Sequence, residues 1–287
     1  MKIARLPLTR RSTIDQACRL AVALLLVMML PATASAVPVN IFQASGADAA
    51  AIQATVDTFR ATLGDPNNGN AAGPLATGRR EINWDGGGQA TTESLTPFNG
   101  FRNTRGAQFT TPAPGTAFIQ APPSGLATRF TNPSYENFLT FSDPRLFSPV
   151  GSTLTEVRFF VPGTDGAVPA ASTAFGAVFS DVDASANASL SFFNTSGGPL
   201  GSFFVPAANN GLSFLGVMFP ELIGKVQILS GNVPLGAASE TGAIDMIVMD
   251  DFLYKEPAVV PEPATLVLLG VSALALGLTG RRRSAQP

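Results

Sequence analysis

The sequence predicts a mostly β protein, an antiparallel β-sandwich of jelly-roll type with one short helix near its N-terminal side. Three observations lead there. From Glu81 onward, short apolar runs are separated by clusters of Gly, Pro, Asn and Asp, in a chain with 28 Gly and 23 Pro. The 21 Phe recur at alternating or adjacent positions of those runs, which suits sheets packed face to face. Helical periodicity is confined to one stretch, and many strands without intervening helices favour a sandwich over an α/β fold.

That stretch comes first. Ile52, Val56, Phe59 and Leu63 follow at steps of four, three and four, so they share one helical face. Ser45 and Asp48 are suited to cap its start and Gly64 to end it. Asp65-Pro-Asn-Asn-Gly-Asn70 then reads as a turn-rich loop. The strands expected after it are 80–84, 106–110, 117–120, 128–131, 138–141, 156–161, 174–180, 188–194, 200–205, 212–218, 225–230 and 244–254. Leu190-Ser-Phe-Phe and Leu200-Gly-Ser-Phe-Phe-Val205 flank Asn194-Thr-Ser-Gly-Gly-Pro199, the pattern of a hairpin with a Gly-rich loop.

Both ends of the chain read as targeting segments rather than fold. Lys2, Arg5, Arg10, Arg11 and Arg19 precede an apolar core, Leu20–Leu30, and a small-residue cleavage site, Ala34-Ser35-Ala36. Residues 1–36 are therefore expected to be a secretory signal peptide, removed by signal peptidase. At the other end Val260-Pro-Glu-Pro263 leads into Ala264–Gly280, seventeen uncharged residues, and then Arg281, Arg282 and Arg283. Seventeen residues at about 1.5 Å rise make roughly 25 Å of helix, the short end of a membrane span. The arginines would hold its far end in the cytoplasm and leave the preceding domain outside.

That order of motif, apolar helix and basic cluster resembles the PEP-CTERM sorting tail of exported bacterial proteins. The resemblance implies that residues 258–287 are a sorting tail. Pro261, Glu262 and Pro263 would be read by an exosortase-type membrane protease, and the chain would be tethered in the inner membrane before it reaches the cell surface or extracellular matrix. It further implies company with exopolysaccharide. Gly78–Gly88 (GRREINWDGGG), Gln120–Gly125, Phe175–Asp183, Leu212–Val217 and Met249–Tyr254 resemble a widespread group of such PEP-CTERM proteins, a group with no established activity.

The exported domain is then 37–257, roughly 220 residues, enough for a single large core. It holds 10 Lys and Arg against 18 Asp and Glu, a net charge of −8, so no basic nucleic-acid footprint is present. The one cysteine, Cys18, precedes the expected cleavage site, which leaves no disulfide to support the fold. The chain has no histidine, which excludes Ser-His-Asp and Cys-His catalysis and histidine metal ligation.

Candidate chemistry rests on carboxylates. Phe179-Ser-Asp-Val-Asp183 puts Asp181 and Asp183 on one side of a strand end, and Asp250-Asp251 lies in the final strand with Asp245 five residues before it. A calcium ion shared by Asp181, Asp183 and Asp251 is one reading, since calcium takes six to eight hard oxygen ligands. Solvated acids that blunt strand edges and cap turns are the other. The Asp65–Asn70 loop is oxygen-rich but matches no calcium-loop spacing. Glu81-Ile-Asn-Trp-Asp85 offers acids and a sugar-stacking tryptophan to a glycan hydrolase, yet one Trp and two Tyr are few platforms for a cleft. A core position suits Trp84 better. Arg79-Arg80 and Arg102-Asn-Thr-Arg105 would suit acidic glycans, or ion pairs at the core edge. The function expected is a non-catalytic binding or structural module of a polysaccharide-rich surface, with a secreted carboxylate-dependent hydrolase as its rival.

Overall fold

The computed structural model describes residues 39–260, apart from 239, 241 and 242. The expected signal peptide and the apolar tail helix with its arginines lie outside the described residues. Among the described residues no helix is long and apolar enough to cross a membrane.

The strands in chain order are β1 (Asn40–Gly46), β2 (Arg79–Ile82), β3 (Thr92–Leu95), β4 (Ala107–Thr110), β5 (Ala117–Ala121), β6 (Leu146–Val150) and β7 (Leu154–Phe160). They continue as β8 (Pro169–Val182), β9 (Ala188–Asn194), β10 (Pro199–Phe204), β11 (Ala208–Ser230), β12 (Val248–Lys255) and β13 (Ala258–Val259). Helices α1 (Ala49–Leu63) and α2 (Pro123–Phe130) complete the set. All named strands pair antiparallel and belong to one sheet with a main order β10-β9-β11-β7-β8-β12-β6-β5-β3. The mostly β, antiparallel expectation holds. Two separate sheets do not form, because β8 and β11 are long enough to change neighbours along their length. The first part of β11 pairs with β1 and β8, and its last part with β7 and β9. Since β7 also pairs with β8, these three strands make a closed circuit of pairings.

Phe159, Phe175, Phe179, Phe192, Val226, Ile228, Phe252 and Trp84 belong to the largest core cluster, which draws on β7, β8, β9, β11 and β12. The opposite face of β8 and β11 carries Ala174, Val178, Leu212 and Phe214, and α1 lies on it with Ile52, Val56, Phe59 and Leu63. The predicted helical face is thus the buried one, and the Asp48 carboxylate caps the helix by accepting from the Ala51 N–H. Phe59 needs a notch in the sheet. Gly176 and Gly216 face each other across the β8–β11 ladder, and a Cβ on either would stand 2.8–2.9 Å from the Phe59 ring.

Two expected strands are corrected. Residues 128–131 end helix α2, where Pro123 pre-sets the first turn and Leu126 and Phe130 are buried one turn apart. Residues 138–141 form a loop whose backbone donors are satisfied by side chains instead of a ladder. Leu139 N–H donates to Ser180 Oγ at 2.8 Å and Phe141 N–H to Asp250 Oδ2 at 2.6 Å. Strands β1, β3, β6 and β13 were not among those expected. Residues 212–218 and 225–230, expected as two strands, are parts of the single strand β11.

Candidate functional site

Buried carboxylates gather in two places, both along β12. Its pairing with β8 sets Val248 opposite Ser180 and Met249 opposite Phe179, then Phe252 opposite Ala177. Three residues on β12 therefore span two on β8, so Asp250 and Asp251 occupy a β-bulge. Strict alternation would send adjacent side chains to opposite faces; the bulge lets both carboxylates reach Ser142 instead. Ser142 Oγ lies 2.6 Å from Asp251 Oδ1, 3.3 Å from Asp250 Oδ1 and 3.0 Å from Asp85 Oδ2. Asp250 Oδ2 also accepts from the backbone N–H of Phe141 and Ser142, and Asp85 Oδ1 from that of Arg145. From α1, Arg60 pairs with Asp251 at 3.3 Å and Glu81 at 3.1 Å. This group is a clamp: it ties the 138–145 loop, the turn after β2 and α1 to the final strand.

Burial and the adjacent Asp251 charge push the Asp250 carboxyl well above the usual carboxylate range. Asp251 is raised by burial too, against hydrogen bonds from Ser142 and Asp250 and the attraction of Arg60. Two adjacent buried carboxyls do not both ionise readily, and of the two Asp250 is the more strongly raised. Burial likewise raises Asp85.

Trp84 completes this region as a core residue, 1% exposed. Its ring stacks on Phe147 with centroids 3.8 Å apart, and its indole N–H donates to the Asp250 carbonyl at 3.1 Å. It offers no sugar platform. Three of the four arginines of the two runs are committed to ion pairs: Arg80 is fully buried and bidentate to Glu256 at 2.6 and 2.7 Å, while Arg79 pairs with Glu81 and Asp65. Arg102 pairs with Asp165. The Asp65–Asn70 loop spends its side chains in the same way, Asn68 donating to the Thr77 carbonyl and to Glu256.

The second gathering lies where β8 ends and β12 begins. Continuing the Ser180–Val248 register by three residues from that pair brings Asp183 alongside Asp245. Glu240, from the segment between β11 and β12, joins them, and one carboxylate oxygen of each residue lies within 4.8 Å of the other two. Asp245 is 2% exposed; its Oδ2 accepts from the Ala184 N–H at 3.0 Å and Asn187 Nδ2 at 2.9 Å. Its Oδ1 is buried with no hydrogen-bond partner among the described residues. Glu240 Oε1 accepts from the Met246 N–H at 2.6 Å, and burial with three neighbouring carboxylates pushes its carboxyl up to about 7. Asp181 stands beside the group, buried, in a left-handed conformation (φ 66°), accepting from the Asn210 N–H at 2.6 Å.

The structure thus separates the three aspartates read as a calcium set. Asp181 and Asp183 stay near each other, but Asp251 sits opposite residues 177–178 of β8, five or six positions back along the strand, or about 15–20 Å. Asp245 takes its place. Glu240 carried no signal in the sequence, whereas the antiparallel register points to Asp245 directly.

A shallow polar cleft of about 580 Å³ lies near the first carboxylate group, lined by Gln89, Pro122, Ser124, Glu136, Thr140 and Asp143 among others.

Taken together, these features define a β-rich domain whose buried acids hold loops and strand ends, and whose last strand, β13, leads into the chain's C-terminal segment. Residues 259–283 match the family model described as the PEP-CTERM protein-sorting motif. The chain therefore carries the sorting signal of an exosortase substrate. That signal implies export, a membrane-anchored C-terminus before cleavage, and delivery to the cell surface. No curated protein matches the chain.

Proposed function

We propose that the protein is a non-catalytic surface module, its sheet folded over one core in the manner of a β-sandwich, that binds or builds a polysaccharide-rich layer after exosortase releases it. The observation that carries this reading is the sorting motif at residues 259–283. Support comes from the way Asp85, Asp250 and Asp251 accept hydrogen bonds from the loop they hold, which leaves them spent on structure. The shallow cleft, polar and without an aromatic side chain among its named walls, suits weak contacts with hydrated chains repeated across many copies.

The test is retention of the purified chain on a panel of bacterial and plant polysaccharides. Retention that Glu136→Ala or Thr140→Ala weakens supports binding through the cleft. No retention on any member removes the binding half of the proposal and leaves a structural surface protein. Turnover of a glycan that is lost in Asp85→Asn or Asp183→Asn, with folding intact, would favour the hydrolase instead.

A further inference from the structure

We propose that Asp183, Glu240 and Asp245 hold a divalent cation of the calcium class, which ties the end of β8 to the segment entering β12. Two independent observations meet here. The first is the geometry. Calcium binds oxygen at 2.3–2.6 Å, so two ligands of one ion stand at most about 5 Å apart. The three carboxylate oxygens, all within 4.8 Å of one another, meet that limit.

The second is Asp245 Oδ1. A carboxyl oxygen that is buried without a donor is costly, and native structures seldom leave one so. Its sister oxygen is already fixed by Ala184 and Asn187, which hold the carboxylate in one orientation. Glu240 is held too, with Oε1 on the Met246 N–H and its side chain hydrogen-bonded to Asp181. Asp183 is exposed and makes no hydrogen bond among the described residues, so it is free to close the site from the solvent side.

Charge points the same way. The charges that act on Asp183 are those of Asp181 and Asp245, and on Glu240 those of Asp181, Asp183 and Asp245. Among the described residues no guanidinium or ammonium pairs with them, in contrast to Asp251, which has Arg60. Four acids and no base is an arrangement that a bound cation stabilises. Carboxylates of this number, on a loop and a strand end, suit calcium better than magnesium, which demands a tighter octahedron and keeps most of its water.

The same ion accounts for the path of the chain. Residues 231–247 leave β11 and return to β12, and Asn232 brackets Asp245 with a backbone N–H to the Asp245 carbonyl and a side-chain oxygen on its N–H. A cation at Asp245 would fasten that return to β8.

The experiment is thermal unfolding of the detergent-solubilised full chain in chelator, in calcium chloride and in magnesium chloride, with calcium titrated calorimetrically in parallel. At a hundredfold excess over Kd, calcium is expected to raise Tm by about 5–10 °C. Asp183→Asn and Asp245→Asn should abolish the rise and the binding heat, while Glu221→Gln, an exposed acid elsewhere, should keep both. Asp183 is at the surface, so its variant tests the site even if Asp245→Asn fails to fold. Absence of a calcium effect in the parent chain, an effect that survives Asp183→Asn, or an equal effect of magnesium would overturn the assignment.

Discussion

Replacing Asp250 with asparagine should leave the fold nearly as stable as the parent at pH 5 and more stable than it at pH 8. The carboxyl is fully buried, and it is pressed by the Asp251 charge beside it and by Asp85 beyond. Arg60 and Glu81 face Asp251, and Arg145 N–H serves Asp85, so among the described residues no cation pairs with Asp250 itself. Because its folded pKa is raised above the unfolded value, its contribution is fully present below the usual carboxylate pKa. That contribution is lost as pH rises through the raised value. Each unit of difference removes about 1.4 kcal/mol at the alkaline end. Asparagine keeps an acceptor for the Phe141 and Ser142 N–H groups, adds an N–H donor facing Ser142, and has no charge to desolvate. Alanine keeps neither. It strands those buried donors at roughly 1–3 kcal/mol each, so Asp250→Ala should lower Tm by about 5–10 °C at both pH values. Circular-dichroism melts of the three proteins at pH 5 and pH 8 decide it. If asparagine is as damaging as alanine, or if the parent and Asp250→Asn lose stability equally between the two pH values, Asp250 is not the more strongly raised carboxyl of the pair.

Two further outcomes follow from the same structure. Trp84 is the chain's single tryptophan, stacked on Phe147 in the core, so its emission should be blue-shifted in the native state and move red on unfolding in step with circular dichroism; Trp84→Ala should cost about 3–5 kcal/mol in denaturant midpoint analysis. Replacing Pro261, Glu262 and Pro263 with alanine in an exosortase-bearing host should leave the chain uncleaved in the inner-membrane fraction, seen as a slower band on an immunoblot, whereas the unaltered chain should reach the surface.

The helix over Ile52–Leu63 and most of the strands were legible because each relies on local pattern. A buried helical face repeats every three to four residues whatever lies across from it, and a half-buried strand shows its runs of Phe and Val between turn residues. Two classes of feature escaped. Leu126 and Phe130 belong to a helix of eight residues, too short for its period to outweigh the β-prone Thr and Phe around it. The 138–141 segment looks apolar enough for a strand, and only the tertiary structure shows that its donors are claimed by Asp250 and Ser180. The division of β11 was read as two strands at Phe219-Pro-Glu-Leu-Ile-Gly224, where proline normally interrupts a ladder. Here the chain changes pairing partners across that segment and stays extended.

The acids show why a site is harder to read than a fold. Asp181, Asp183, Asp245, Asp250 and Asp251 are all visible as strand-end carboxylates, yet which of them meet depends on two numbers that composition does not contain. One is the register of β12 on β8, which carries Asp183 to Asp245 and leaves Asp251 most of a strand length away. The other is a single extra residue in β12, which turns Asp250 and Asp251 from opposite-facing neighbours into partners on one serine hydroxyl. Both are properties of pairing, so an expectation built on proximity in sequence groups the wrong acids. The same register gives the two groups opposite characters. Around Ser142 the carboxylates have backbone donors, the serine hydroxyl and Arg60, and the group is complete as it stands. Around Asp245, among the described residues, there are acids, a fixed buried oxygen without a donor and no base, and the proposed cation would complete the group. The calcium titration with Asp183→Asn separates a site from a mere crowd of acids.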